Sequence, residues 1–118
     1  VTTNRWHINR TKTALTLSRR LDVRWDIAVQ TVLPPARKTR LAHQIRQDMW
    51  RKLQALRGFC PAVRVEEEGS YLRITAGGDI AARSFPKTRV EDQIRDLFDD
   101  SARVARWLRH AKQEVAHA

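Results

Sequence analysis

Arginine is the residue type in this sequence best suited to chemistry. The chain holds 23 basic residues, eighteen of them Arg, against 13 acids, for a formal net charge of +10. A guanidinium presents five N–H donors in a rigid fork that matches the oxygens of phosphate and carboxylate, so the chemistry on offer is anion recognition. Position sharpens this reading. Residues 1–24 hold six basic residues and one acid, and residues 35–58 hold seven and one. By contrast, residues 59–86 hold three and four, and residues 87–118 hold seven and six. A surplus that served solubility alone would be spread more evenly. The first basic stretch supplies Arg5, Arg10, Lys12, Arg19 and Arg20; the second supplies Arg37, Lys38, Arg40, Arg46, Arg51 and Arg57. Trp50 stands among the latter, and an indole between arginines and glutamines makes a poor solvent face. It either packs on the sugar or base of a bound nucleic acid or tucks beneath another part of the chain, such as the N-terminal arm.

Other chemistries lack their residues at a usable spacing. Cys60 is the single cysteine, which rules out an internal disulfide, and no base stands near it in sequence. His7, His43, His110 and His117 have no metal-ligand spacing. Asp92, Asp96, Asp99 and Asp100 alternate with Arg95, Arg103 and Arg106, and pairs such as Glu91–Arg95 and Asp99–Arg103 are ordinary salt bridges one helical turn apart. Gly77-Gly78-Asp79 lacks the strand, lysine and helix of a phosphate loop. The expectation is a protein that is not an enzyme and holds no metal or cofactor.

The basic residues need elements to hold them. Leu41, Ile45, Met49, Leu53 and Leu56 recur at steps of three and four, so the spacing predicts a helix over residues 35–57. Pro34 and Pro35 would open it and Gly58 would end it. At 1.5 Å per residue it would be roughly 33 Å long. Its apolar stripe leaves Arg46, Trp50 and Arg57 together on the opposite face. Residues 24–33 alternate as a strand that turns Trp25, Ile27, Val29, Thr31 and Leu33 to the core. Val63 to Ile74 read as a hairpin turning at Glu68-Gly69-Ser70, and Gly77-Gly78 ends or kinks its second strand. Thr88 with Glu91 forms a capping box for a last helix. Run on unbroken, it leaves Trp107 at the edge of its stripe, whereas a kink or break at Asp99 or Asp100, the reading preferred, lets Val104, Trp107, Leu108 and Ala111 share one stripe. Residues 1–12 read as extended or disordered, and a further strand over 13–19 or 79–83 is an option.

These elements predict an α+β fold of βαββα order, a two-layer sandwich with two helices on one face of a small mixed sheet. Residues 1–22 form a basic arm and residues 23–118 a single domain. The hairpin adds an antiparallel neighbour to two strands made parallel by a right-handed crossover. The order resembles that of small open-faced sandwiches found in several RNA- and ribosome-binding modules, a likeness of topology without a shared motif. The open sheet face would carry Ala28, Gln30, Arg64, Glu66, Tyr71, Arg73 and Thr75, read as a solvated face or a dimer contact.

Two functions follow as expectations. The first is a nucleic-acid-binding protein, DNA or RNA, that neutralises phosphates with little sequence preference. The second is a subunit or regulator docking on an acidic protein through Trp6, Trp50 and Trp107, because Trp and Arg are enriched at interface hot spots. No apolar run approaches the ~20 residues of a membrane span, and the polar first twenty residues predict no signal peptide and a cytoplasmic location.

Overall fold

The computed structural model of the chain describes residues 6–112. The elements run β1 (His7–Arg10), β2 (Ala14–Ser18), β3 (Ile27–Leu33), α1 (Lys38–Leu53), β4 (Phe59–Glu68), β5 (Tyr71–Ile80), α2 (Lys87–Asp99) and α3 (Ser101–His110). The five strands form one sheet in the order β1-β2-β4-β5-β3, and every neighbouring pair is antiparallel. The fold is therefore α+β, with an antiparallel rather than a mixed sheet. The strands on either side of α1, β3 and β4, do run the same way, but β5 lies between them. The second strand of the hairpin inserts where a parallel pair was expected.

The hairpin turns at Gly69-Ser70, closed by Glu68 opposite Tyr71, and Gly69 takes a φ of 60° as a two-residue turn requires. The 13–19 option is met by β2, which pairs with β4, and part of the N-terminal stretch becomes the edge strand β1. The 79–83 option is not a separate strand, because β5 runs unbroken to Ile80. Gly77 and Gly78 lie inside β5 and do not end it. A Cβ on Gly77 would stand 2.0 Å from the Ile27 carbonyl oxygen, and one on Gly78 would stand 2.0 Å from that of Cys60. The glycines let both neighbouring backbones close on β5.

Cross-strand register aligns Leu15, Leu17, Val63, Val65, Ile74, Ala76 and Val29 on one sheet face, all of them buried. On that face α1 packs over β4 and β2, α2 packs over β3 and β5, and α3 lies against both helices. Leu41, Ile45, Met49 and Leu53 are the buried stripe of α1, at the spacing that the sequence predicts. The helix is shorter than 35–57. Arg37 is its N-cap, with a backbone N–H that donates to the Ala111 carbonyl at 2.8 Å, and Arg57 falls in the turn before Gly58.

Three local expectations are corrected. The first strand begins at Ile27, so Trp25 precedes it and does not face the core. There the Asp26 carboxylate accepts the Ile80 N–H at 2.8 Å, a donor that a longer strand would have met with a carbonyl. The Thr88–Glu91 capping box is absent: α2 has Pro86 as N-cap and no side-chain cap. Glu91 instead accepts the outward Ala28 N–H at 3.1 Å, a group left open because β3 is an edge strand. The paired charges also differ, with Arg95 bonding Asp92 at 2.8 Å and Arg103 lying near Asp100 and Asp48. The break between the last helices falls at Asp100, whose carboxylate accepts the Arg103 N–H at 3.1 Å as the new N-cap.

Candidate functional site

The helix α1 divides the basic residues among three places. Its first turn gathers Arg10, Arg37, Lys38 and Arg40 around an open recess of about 510 Å³. Arg10 donates to the Thr39 hydroxyl at 2.9 Å, and Lys38 pairs with Glu67 at 3.4 Å. One flank of the helix carries Arg46 and Trp50. The other carries Asp48 and Arg51, 3.5 Å apart and turned towards α3. Lys12 and Arg57 are exposed in turns, and Arg20 pairs with buried Asp79 at 3.1 Å. Arg5 lies outside the described residues.

The Arg46 flank is the arrangement with the most to offer a ligand. Trp6, just before β1, has two guanidiniums over its ring, Arg46 4.5 Å and Arg19 5.0 Å from the ring centre. Each contact contributes about 0.5–1 kcal/mol, which helps hold two like charges together. Among the described residues neither arginine pairs with a carboxylate. Burial, and then the charge of Arg19, push the Arg46 guanidinium below its ordinary value, and its Nε is buried without a hydrogen-bond partner. Beside them Trp50 is 45% exposed. It is Trp6, not Trp50, that the N-terminal stretch tucks against the helix. Phe59 and Pro61 of β4 complete a recess of about 70 Å³ with the two tryptophans. His43, one turn before Arg46, is held below the usual imidazole value by burial and then by Arg46, so it adds no charge at neutral pH.

The remaining features fit less well. A polar cavity of about 480 Å³ on the open sheet face has Trp25, His7 and Thr16 in its wall. Of its three arginines, Arg20 pairs with Asp79, Arg64 pairs with Glu66 at 3.2 Å, and Arg10 donates to the Thr39 hydroxyl. Tyr71 is exposed on that face, Arg73 pairs with Glu68, and Gln30 donates to Thr75 at 3.1 Å, as on a solvated surface. Trp107 is no anchor: it is fully buried, edge-on to Phe98 at 6.0 Å. Among the described residues no group of three or more His, Cys, Asp or Glu could hold a metal ion, and no helix is long and apolar enough to cross a membrane.

One residue was missed in the sequence. Asp48 counts there only as the lone acid of a basic helix, yet it is 2% exposed and accepts the Trp107 indole N–H at 2.6 Å. The signal was its spacing, three residues after Ile45 and seven after Leu41, which places it beside the buried stripe. Comparison with protein-family models, curated proteins and solved structures gives no match for this chain, so the geometry alone carries the functional reading.

Proposed function

We propose that this chain is a cytoplasmic, non-enzymatic nucleic-acid-binding protein that grips phosphates with little regard to sequence. Arg19 and Arg46 are the central contacts, and Arg37, Lys38, Arg40, Arg51 and Arg57 extend them along α1 and the turn after it. Arg10, Lys12, Arg20 and Arg5 extend them along the N-terminal stretch. The observation that carries the reading is the Arg19–Trp6–Arg46 stack, two guanidiniums with no carboxylate partner among the described residues, beside a half-exposed Trp50. A partly buried Arg46 beside an exposed Arg19, neither with a carboxylate among the described residues, favours an incoming anion, and an indole beside them offers a base its face. With six or more phosphate contacts, affinity for labelled DNA or RNA should fall on the order of 10³-fold between about 50 and 200 mM salt. Absence of binding at the lower salt would refute the proposal.

The recess between Trp6, Trp50, Phe59 and Pro61 favours a second reading, in which an acidic protein partner inserts an apolar side chain there, ringed by arginines. Trp50→Ala separates the two. Loss of a stoichiometric protein complex with unchanged nucleic-acid affinity would select the partner protein.

A further inference from the structure

On the far flank of α1 from Trp6, one buried carboxylate gathers more cations than it can neutralise. Asp48 Oδ2 accepts the Trp107 indole N–H at 2.6 Å and bonds Arg106, and Arg103 Nη1 lies 3.3 Å from it. Asp48 Oδ1 meets Arg51 Nη1 at 3.5 Å. Lys52 lines the same cleft, and among the described residues the only other carboxylate paired there is Asp100, 3.4 Å from Arg103 Nε. Four cations thus face two acids, a surplus of two positive charges around a cleft of about 280 Å³.

We propose that this cleft, between α1 and the start of α3, is an oxyanion site that takes a phosphate group. A carboxylate offers about four acceptor sites, whereas three guanidiniums bring about five N–H donors each. Most of those donors are therefore not used by Asp48, and Arg103 Nε, buried 3.4 Å from Asp100, makes no hydrogen bond. Asp48 ties the three guanidiniums together, its own place held by the Trp107 hydrogen bond, and all three line the cleft. Such prior placement lowers the ordering cost of binding. A planar carboxylate ligand can meet two forks, but a tetrahedral phosphate has oxygens for all three, and its charge matches the surplus. Leu97 closes one wall. The site shares Arg51 with the proposed nucleic-acid surface but lies across a helix about 10–12 Å wide from Trp6 and Arg46.

The Trp107 indole N–H reports on the site, because it bonds the carboxylate that organises it. Following its proton–nitrogen resonance while titrating inorganic phosphate should give a saturable shift that sodium chloride at equal ionic strength does not reproduce. Arg106→Gln should weaken phosphate binding at least five-fold, and Trp50→Ala should leave it unchanged. Should Arg106→Gln not fold, Arg51→Gln decides, since Arg51 is 70% exposed and its removal spares the fold. Phenyl phosphate and an abasic deoxyribose-phosphate oligomer separate a phosphomonoester from a backbone phosphodiester as the source, and tighter binding of either assigns it. A shift equal to that with chloride, or phosphate affinity unchanged in Arg51→Gln and Arg106→Gln, overturns the site whether or not nucleic acid binds elsewhere.

Discussion

Arg19 and Arg46 share the ring of Trp6 while Trp50 stays open beside them. If a base stacks on Trp50, Trp50→Ala should cost about 1–3 kcal/mol of nucleic-acid affinity with an unchanged melting temperature. Anisotropy titration and a thermal melt check the two halves. His43 supplies a second readout. Its folded-state value is depressed, so the stability it contributes is present above its unfolded value of 6.5 and is lost as pH falls through the folded value. A phosphate seated on Arg46 would cancel the charge acting on His43 and raise that value. A proton NMR titration of His43 with and without oligonucleotide would show the rise; identical curves would place the anion elsewhere. At this scale the basic stretches and the odd position of Trp50 were legible from spacing. The pairing of Trp6 with Arg46 was not, because it joins residues far apart in sequence and depends on β1 taking the sheet edge.

The helices α1 and α3 are joined through Asp48. Burial alone would raise its carboxyl, but the Trp107 hydrogen bond and the charges of Arg106 and Arg103 outweigh that and hold it below the usual carboxylate range. The stability from a depressed carboxyl is present above its unfolded value of 3.8 and lost as pH falls through the folded value. Unfolding by urea from pH 6 downwards should therefore show an acid-side loss that is weaker in Asp48→Asn. Asp48→Ala should cost about 3 kcal/mol, the low end for breaking a buried pair, because its arginines remain partly in water. In β5, Gly77→Ala should cost about 3 kcal/mol or more by the same measurement, since its Cβ would meet backbone that cannot swing aside. Periodicity gave the buried stripe of α1 and the core side of the hairpin, and it favoured a kink or break at Asp99 or Asp100, which falls at Asp100. It does not show which strand lies beside which. A β5 placed outside the pair or inside it leaves β3 and β4 parallel, and the side-chain alternation is the same in both cases. The Glu91 carboxylate was misread for the same reason: its partner, Ala28, is distant in sequence and defined only by the edge of the sheet.

Across the whole molecule, the surplus charge in residues 1–24 and 35–58 meets around α1, because β1 and β2 bring the first stretch to the sheet edge nearest that helix. The acidic residues neutralise part of it, at Lys38, Arg20 and Arg51, and leave the Arg19–Arg46 pair without a carboxylate among the described residues. This distribution is what the proposed function depends on. The most direct test is the slope of log affinity against log salt for a duplex oligonucleotide, compared between the native chain and an Arg19→Gln, Arg46→Gln double variant of unchanged melting temperature. Each lost phosphate contact should lower the slope by about 0.9, so the double variant should lose about two from a native value of five or more. A native chain that does not bind at low salt, or a double variant with the native slope, would contradict the assignment of phosphate binding to this surface.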